Sequence, residues 1–369
     1  MLQPTSGSGT ASDPRLAICP DRHCYRRRPV RNLADSSDID VNEVLPTDLA
    51  TLDPVLRAHR FSLVRGLERY VDDVGPSYTR QAYERAARDP ATMVLAARSD
   101  QRVLAATTIS PAAWESGLLG TRVGHLGDVV GVAEPGRREP AVRRLLEAAG
   151  ARWAEAGGGM LVARIDVDDA DAVVAAQRAG FEVLETTIAY LNDNDAEPGT
   201  THAPRGFEVR CHPHGSAGEI PATALDVLMR SVDETDRIGH LYSDRALDPD
   251  RVQDLYRAWV TNTFRGDHGD VVYTAWRDDQ VLGVLSWTED GDLDELAGIK
   301  VLRSGFGAVA PEGHGALGDL YAAVCRDRPL GSRLVESTTQ AGNEAVFTVW
   351  GRFASMRPAS ANYVLHGWF

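Results

Sequence analysis

Apolar positions in residues 40–192 switch between helical and extended spacing, so this stretch predicts a mixture of helices and strands. Segments with an apolar residue every three or four positions are predicted to be helices, and these are residues 45–59, 79–89, 139–156 and 170–180. Alternating or continuous apolar runs are predicted to be strands, and these are residues 93–110, 124–133, 160–167 and 181–191. Ser99 and Asp100 interrupt the first run, which indicates a β-hairpin. The order is typical of an α/β domain with antiparallel hairpins.

Residues 193–206 form a polar segment with almost no apolar side chains to bury, which is typical of a linker. After this segment the pattern of helical and extended spacing starts again. Predicted helices occupy residues 221–232, 248–264, 316–327 and 343–354. Predicted strands occupy residues 271–287, 305–311, 333–340 and 361–369. Asp278 and Asp279 lie in the middle of the first strand run and indicate a second hairpin.

The two stretches resemble each other in element order. Residues 162–191 align with residues 335–365 at an offset of 173, give or take one residue at the end, and this places Tyr190 on Tyr363. A long repeat period with the same elements in each copy indicates a duplicated domain. We therefore expect residues 39–192 and 207–369, called the first and second halves below, to be two copies of one fold. Residues 1–38 carry little apolar periodicity and are predicted to be a disordered or irregular tail.

Composition narrows the class of protein. The chain has 369 residues with 43% hydrophobic, and 39 basic against 53 acidic residues give a net charge of −14. This is the composition of a globular protein and excludes a fibrous chain. Polyanions are held by clustered positive charge, so the acidic balance argues against nucleic-acid and membrane partners.

The four cysteines, Cys19, Cys24, Cys211 and Cys325, are too few and too scattered for a disulfide framework. That usage points to a reducing compartment, and we expect the cytoplasm. Cys19 and Cys24 flank His23, but no second pair at zinc spacing lies nearby, so we expect no metal site. No run of about 20 apolar residues is present, and residues 1–15 lack the order of a secretory signal.

A glycine-containing turn joins a strand to a helix in residues 308–321, AVAPEGHGALGDLY. With the element order of both halves, this turn resembles the GNAT superfamily of acetyl-CoA-dependent N-acetyltransferases. The resemblance implies two tandem GNAT-like domains, each with a mixed, mostly antiparallel central sheet flanked by helices. It also implies that N–H groups of this turn hold the pyrophosphate of coenzyme A, since a helix N-terminus offers unpaired donors to an anion.

The resemblance implies a coenzyme A site in the second half formed by Ala308, Val309, Ala310, Gly313, His314, Gly315, Ala316, Gly318 and Asn343. An N–H within 308–310 would stabilise the oxyanion of the reacting thioester, and Asn343 would bond the pantetheine or phosphate region. Asn343 is equally suited to be a helix N-cap. The turn departs from the family because no Arg or Gln stands at its start and Leu317 replaces a small residue; His314 could supply a donor instead.

Residues 114–120, 163–185 and much of 237–343 resemble, more narrowly, dTDP-fucosamine acetyltransferase, a tandem GNAT that acetylates an amino group of a nucleotide-linked deoxysugar. That resemblance implies a Tyr acid seven residues after Asn343, where this chain has Trp350. An indole N–H is a hydrogen-bond donor and no useful acid. The remaining candidate acids near the expected cleft are Tyr321, Tyr363, His240, Tyr242 and His314, and the candidate bases are Glu289 and Glu295.

The first half departs further from the family. Its turn, residues 134–146, has one Gly and two Pro, the 173-residue offset places Ala170 opposite Asn343, and Gln177 takes the position of the acid. We therefore expect the first half not to bind coenzyme A and to form one side of the acceptor cleft. Arg137 and Arg138 are predicted to be solvated surface charge, and Trp114 and Glu115 are predicted to serve packing.

The leading hypothesis is an N-acyltransferase that moves an acetyl or small acyl group from acetyl-CoA, as co-substrate, to a primary amine of a small molecule. The acceptor would be an amino sugar nucleotide or an amine of specialised metabolism. One alternative keeps the fold and takes the acyl group from an acyl carrier protein, since a carrier's phosphopantetheine needs no pyrophosphate site. The other is a non-catalytic binding protein on a degenerate GNAT scaffold, since the acid position is altered in both halves.

Overall fold

The computed structural model describes residues 38–134, 136–193, 206–213, 222–234, 239–265, 267 and 269–369. The predicted tail up to residue 37, with Cys19, His23 and Cys24, and most of the predicted linker lie outside the described residues. The strands are β1 Asp40–Glu43, β2 Met93–Ser99, β3 Arg102–Pro111, β4 Val123–Leu126, β5 Val130–Gly131, β6 Met160–Asp166, β7 Phe181–Asp193, β8 Glu208–Pro213, β9 Val271–Arg277, β10 Gln280–Glu289, β11 Val301–Val309, β12 Leu334–Gln340 and β13 Arg357–Trp368. The α-helices are α1 Asp53–Arg57, α2 Val74–Arg88, α3 Ala113–Leu119, α4 Arg138–Glu155, α5 Ala170–Arg178, α6 Ala222–Glu234, α7 His240–Ser243, α8 Pro249–Arg265, α9 Gly291–Ala297, α10 Ala316–Asp327 and α11 Glu344–Phe353.

The strands form one large sheet with helices packed on it. Its order is β1-β2-β3-β4-β6-β13-β7-β12-β11-β10-β9-β8, with β5 paired to β3. Among the described strands, the parallel pairs are β4 with β6 and β11 with β12, and the other pairs are antiparallel. The predicted mixed α/β class, with a mostly antiparallel sheet flanked by helices, is confirmed.

The last strand of each half completes the sheet of the other half. Strand β13 lies between β6 and β7, where Tyr363 pairs with Ile165 on one side and Thr186 on the other. Strand β7 in turn pairs with β12, where Tyr190 lies opposite Ser337. The two halves therefore share a single continuous sheet, which the prediction of one sheet per half did not include.

The repeat is real, but its offset changes along the chain. Met93 starts β2 and Val271 starts β9, a difference of 178, whereas Met160 starts β6 and Leu334 starts β12, a difference of 174. The single offset of 173 is therefore one residue short at β6 and β12. The structure places Asp169, and not Ala170, opposite Asn343, and each caps its helix by accepting a backbone N–H three residues on.

Both predicted hairpin turns are confirmed. Asp100, with φ of 53°, joins β2 to β3, and Asp278 and Asp279, with φ of 48° and 61°, join β9 to β10. Aspartate is one of the few side chains that tolerates left-handed backbone conformations in tight turns.

Each half has its own apolar core, and two smaller clusters join the halves. Trp153 is buried in the core of the first half, and Trp287 and Trp350 are buried in that of the second. In one joining cluster α8 packs on β4 and β6, and in the other residues 64–74 pack on β11 and β12. Within the described part of the chain, none of the helices is both long and apolar enough to cross a membrane.

Candidate functional site

Strands β11 and β12 separate in the middle of the second half. They pair only from Val301 to Arg303, and beyond Arg303 no ladder joins them. The exposed residues Gly305 and Gly307 on β11 and Thr338 on β12 then line an opening in the interior of the sheet. We call this opening, bounded by residues 304–309 and 337–340, the central cleft.

A bulge in β11 lies on one side of the central cleft. The pairing with β10 shifts so that Gly305 and Phe306 both lie opposite Ser286. The Ser286 hydroxyl accepts the N–H of Phe306 at 2.8 Å and donates to its carbonyl at 3.2 Å. A Cβ on Gly305 would lie 2.5 Å from that hydroxyl oxygen, so glycine is required for this approach. Bulges of this kind interrupt a ladder and are frequent beside active sites.

The bulge determines which N–H groups face the central cleft. Ala310 donates its N–H to the carbonyl of Leu282 at 2.9 Å. Because antiparallel ladders alternate in the direction of their donors, the N–H of Ala308 also points towards β10. Those of Gly307 and Val309 point towards the cleft. Of the three residues predicted to hold the oxyanion donor, Ala308 and Ala310 thus have their N–H groups turned away from the cleft, and Val309 has its N–H group turned towards it.

The glycine turn after β11 has the geometry of a tight strand-to-helix connection. Gly313 is buried so close to β10 that a Cβ would lie 2.4 Å from the carbonyl oxygen of Leu282. Gly315, with φ of 97°, caps α10 and accepts the N–H of Gly318 at 3.1 Å. Ala316 is buried and His314 is exposed at the same helix end. The turn therefore leads from β11, which borders the cleft, into the N-terminus of α10.

One carboxylate at this helix end disfavours strong anion binding. Asp319 lies in the first turn of α10 and is only 9% exposed. A carboxylate there is favourable to the helix dipole but repels a second anion. Asp319 and the absence of an Arg or Gln at the start of the turn both weaken anion binding there.

Asn343 has the structural role that the sequence left open. Its Oδ1 accepts the N–H of Val346 at 3.3 Å, which confirms the N-cap of α11, and its Nδ2 donates to the Thr339 hydroxyl at 3.1 Å. Both polar atoms of the side chain thus have partners within the protein, and Thr339 belongs to the edge of the central cleft.

Tyr321 and Trp350 lie together beneath the central cleft. The Tyr321 hydroxyl is 2.8 Å from the Ser337 hydroxyl, and its ring packs edge-on against Trp350 with centroids 5.8 Å apart. Burial raises the pKa of Tyr321 to about 12, and the hydrogen bond with Ser337 opposes that shift. Trp350 is 1% exposed, so the position of the family's acid is occupied by a core aromatic.

The other predicted acids and bases lie elsewhere. Tyr363 is on β13 and packs against the core of the first half. Glu295 is exposed on α9, where it accepts a hydrogen bond from Gln81, and Glu289 forms an ion pair with Lys300 at 3.3 Å. The structure therefore does not bring Tyr363 or Glu295 to the central cleft with Tyr321.

Sequence reasoning missed a group of titratable side chains where the two halves meet. We call it the central cluster, and its members are Glu115, His125, Arg164, Glu185, His240, Asp244 and His366. It gathers side chains from α3, β4, β6, β7, α7, the residue after α7, and β13. Of these residues only His240 was a predicted candidate. Glu115 accepts a hydrogen bond from His125 at 3.0 Å, so it does more than pack, and the neighbouring Trp114 is 39% exposed.

Within the central cluster a carboxylate and two imidazoles form a hydrogen-bonded chain. His366 Nδ1 is 2.6 Å from Asp244 Oδ2, and His366 Nε2 is 2.7 Å from His240 Nδ1. With Asp244 ionised, His366 carries its proton on Nδ1 and accepts the Nδ1 proton of His240. Nε2 of His240 is then an acceptor. Burial and the neighbouring His366 lower the pKa of His240 to about 3, so this imidazole is neutral at pH 7.

Glu185 lies on β7 next to this chain and near the open end of β12. Partial burial raises the pKa of its carboxyl to about 7, while the backbone N–H of His240 and the charge of Arg164 oppose that shift. A Cβ on Gly239, which precedes His240, would lie 3.8 Å from Nε2 of Gln340, the last residue of β12. The start of α7 thus connects Glu185 to the central cleft.

A second buried carboxylate lies at the other end of the cleft. Glu336 pairs with Arg303 in the last paired position of β12, and burial raises the pKa of its carboxyl. The Arg303 guanidinium is 3.7 Å from Glu336 and 3.0 Å from Asp290. Since Glu336 has a cationic partner and Glu185 has none within ion-pair distance among the described residues, Glu185 is the better proton acceptor.

In the first half, the place that corresponds to the central cleft is filled by an ion pair between Arg138 and Asp169. Arg138 is 6% exposed; its Nη1 donates to the carbonyl of Gly131 at 2.6 Å, and its Nε donates to Asp169 Oδ1 at 3.1 Å. The prediction that Arg138 would be solvated surface charge is wrong, because the guanidinium has a buried carboxylate as partner. This ion pair bridges the two chain segments that diverge in the first half as β11 and β12 do in the second.

Comparison with known proteins supports the fold. No protein-family model matches the sequence, and no curated protein matches it. A GCN5-related N-acetyltransferase from Sphaerobacter thermophilus is similar in structure, with TM-score 0.55 and 13% identity over 90% of this chain and 96% of that chain. A tandem GNAT protein from the clavulanic acid biosynthesis pathway is similar with TM-score 0.50 and 16% identity over 89% of this chain and 98% of that chain. At these identities the likeness establishes a tandem GNAT fold.

Proposed function

We propose that this protein is an N-acyltransferase whose second half holds acyl-CoA in the central cleft. The observation that carries the proposal is the separation of β11 from β12 beside a bulge, with Gly305, Gly307 and Thr338 exposed inside a sheet. Interior strands normally pair along their length, because unpaired N–H groups are costly. An opening lined by glycine and backbone donors is suited to an extended ligand that can pair with the chain.

The residues present fit an acyl-pantetheine arm. The N–H groups of Gly307 and Val309 face the cleft, and Gly307 has no side chain to keep a ligand from the backbone. The N-terminus of α10 lies at the end of the same strand and would receive the phosphates. The first half offers no comparable opening, since Arg138 and Asp169 fill it. We therefore propose one acyl-CoA per chain.

Three groups of this chain would act on the reaction. A bound thioester supplies the electrophilic carbonyl. The N–H groups of Gly307 and Val309 would stabilise negative charge on its oxygen. The Glu185 carboxylate would accept a proton from the attacking ammonium group, since a base with pKa near 7 is suited to work at neutral pH. The Tyr321 hydroxyl, beneath the cleft, would donate to the departing thiolate.

For the acceptor, we propose a primary amine on a small molecule. The resemblance to dTDP-fucosamine acetyltransferase supports an amino sugar nucleotide, and an amine of specialised metabolism is the other class to test. The space between the halves, next to the central cluster, would receive it. Acetyl is the proposed acyl group, because the chain resembles acetyl-CoA-dependent N-acetyltransferases.

A thiol-release assay with acetyl-CoA and a panel of amines tests the proposal, and tyrosine variants locate the acid. We expect Tyr321→Phe to lower kcat about 10-fold, because solvent protonates the thiolate less readily than a positioned hydroxyl. Tyr363→Phe is the matched control, since its ring lies against the core of the first half, and kcat should remain within about 2-fold.

The assay separates the proposed acid from the proposed activity. No thiol release with any amine, from protein that binds coenzyme A, would favour the non-catalytic alternative. Turnover that falls with Tyr363→Phe and persists with Tyr321→Phe would remove Tyr321 from the mechanism.

A second candidate donor is an acyl group on a carrier protein. The observation that favours it is Asp319 in the first turn of α10, where the pyrophosphate of coenzyme A would lie. Acyl-pantetheine lacks that pyrophosphate and would escape the repulsion. The two donors are distinguished by kcat/KM for acetyl-CoA and for acetyl-pantetheine: Asp319→Asn should raise kcat/KM only for acetyl-CoA if coenzyme A is the donor.

A further inference from the structure

Arg164 occupies an unusual position for a charged side chain. It lies in the middle of β6, and its chain neighbours Ala163 and Ile165 are buried, whereas Arg164 itself is exposed. It pairs across the ladder with Val364 of β13. Paired residues of neighbouring strands lie on the same face of a sheet, so Arg164 and Val364 share one face.

Glu185 lies on the same face, one strand further along. It pairs with Val364 from the other side, so the three residues form a row across β6, β13 and β7. Adjacent strands are about 4.8 Å apart, which puts the Cα atoms of Arg164 and Glu185 about 10 Å apart over an apolar residue. The row thus has a cation at one end and a carboxyl at the other.

The guanidinium of Arg164 has no hydrogen bond or ion pair among the described residues. By contrast, Arg65 and Arg138 each have a carboxylate partner. An arginine presents five donors in a planar fork that matches a carboxylate or phosphate. Because Arg164 is exposed on a central strand and its fork has no partner among the described residues, the fork is available to an anion that the protein itself does not supply.

The charges around Arg164 restrict what such an anion can be. Glu115 and Glu185 both act on the guanidinium, and Glu115 is hydrogen-bonded to His125. A plain anion would be attracted by one group and repelled by two. A molecule that also carries an ammonium group would place its cation near Glu185 and its anion on Arg164, which satisfies both ends of the row.

We infer that the acceptor is an amine that also carries an anionic group, a carboxylate or a phosphate, and that Arg164 binds this group while the amine faces Glu185. The identity of the amine as the acyl acceptor rests on the proposed function, whereas anion binding by Arg164 does not. Arg164 is here a residue that determines which amine is used.

Matched acceptor pairs test this inference in the thiol-release assay with acetyl-CoA. One arm compares amino acids with their carboxamides, and the other compares amino sugar phosphates with the free amino sugars. We expect the wild-type protein to prefer the anionic member of one arm, and that arm identifies carboxylate or phosphate. Arg164→Gln should lower kcat/KM for that member about 10- to 100-fold relative to the neutral member, the range of a charge-assisted hydrogen bond, since any change in the pKa of Glu185 affects both members alike.

Arg152→Gln is the control, because Arg152 is exposed at the end of α4 and pairs only locally with Glu155. It should leave both members unchanged. Equal use of the anionic and neutral members, with no effect of Arg164→Gln on their ratio, would overturn the inference and leave the proposed function intact.

If no amine is acylated, the proposed function fails. Anion binding by Arg164 is then tested by a readout that does not depend on turnover. Phenylglyoxal modifies accessible arginines, and peptide mapping measures its reaction with Arg164 and Arg152 separately. We expect glycine or glucosamine 6-phosphate, each of which carries an ammonium group and an anionic group, to slow modification of Arg164 several-fold and to leave Arg152 unaffected. Equal rates at Arg164 with and without each of these two compounds would overturn anion binding.

Discussion

Glu185→Gln is expected to lower kcat/KM for acyl transfer about 100- to 1000-fold, the usual contribution of a positioned general base. The amide keeps the size of the side chain and cannot accept the proton of an ammonium group. In the wild-type protein kcat/KM should rise with pH through about 7, because the carboxyl pKa is raised to that value by burial. The residual activity of the variant should lack this step.

The groups that face Glu185 determine how its titration is assigned. Arg164 lies on the strand beyond β13, and the His240 backbone faces the carboxyl from α7. His240 itself is neutral at neutral pH, since its pKa is about 3, so it does not titrate in the same range. A step near pH 7 that is lost in Glu185→Gln is therefore assigned to Glu185.

Stability supplies a second readout for the same variant. The pKa of Glu185 is about 7 in the folded protein against 4.5 for a free glutamate, so the folded state holds a proton that the unfolded state has released between these values. Stability from this group consequently falls as pH rises from about 4.5 to 7. Glu185→Gln should raise Tm at pH 8 and change it little at pH 4.5.

Two matched variants serve as controls for Glu185. Glu182→Gln changes an exposed glutamate on the same strand and should be neutral in both assays. Glu336→Gln changes the buried glutamate that faces Arg303 and should keep the pH step. Loss of the step in Glu336→Gln with its persistence in Glu185→Gln would transfer the role of base to Glu336.

Arg138→Met is expected to lower the free energy of unfolding by about 3 kcal/mol, the scale for breaking a buried ion pair. The side chains of Arg138 and Asp169 are only 7% and 3% exposed, so the variant leaves a carboxylate buried without its cation. It also removes the donor to the Gly131 carbonyl. Urea unfolding measures the loss.

A second substitution separates charge from packing at this site. Arg138→Met combined with Asp169→Asn removes both charges and keeps an N-cap acceptor for α5, so it should recover much of the loss. Arg144→Met is the surface control on the same helix and should cost less than 1 kcal/mol, since its pair with Glu147 is exposed. A double variant as unstable as Arg138→Met alone would mean that packing of the long side chain, and not its charge, is what matters.

The sequence allowed the fold to be predicted because helices, strands and turns depend on local spacing. Alternating apolar residues predicted β2, β3, β9 and β10, and aspartates predicted the turns at Asp100 and Asp278. The cap at Asn343 also follows from short-range pattern. These features needed no knowledge of which strands are neighbours.

The central cluster could not be predicted in this way, because it depends on strand exchange. Arg164 and Glu185 become ends of one row only when β13, nearly 200 residues later in the chain, lies between β6 and β7. His366 meets Asp244 for the same reason. One signal was available: Glu185 begins a polar run, ETT, within the apolar strand of residues 181–191, and such an interruption on a central strand is a reason to look for a site.

The repeat was also misaligned for a physical reason. Helix α5 with its connection to β7 is two residues shorter than α11 with its connection to β13, so one fixed offset cannot hold from β6 to β7. An error of one residue hid the equivalence of Asp169 with Asn343 and, with it, the ion pair that fills the first half.

Calorimetric titration of coenzyme A into the wild-type protein and into Thr338→Trp tests the central claim most directly. Thr338 is exposed on the β12 side of the central cleft, and an indole there would block it; Val174→Trp, on the exposed surface of α5, is the control. The account predicts one equivalent of coenzyme A for the wild-type protein and for Val174→Trp, and none for Thr338→Trp. Two equivalents per chain, no binding to the wild-type protein, or undiminished binding to Thr338→Trp would contradict it.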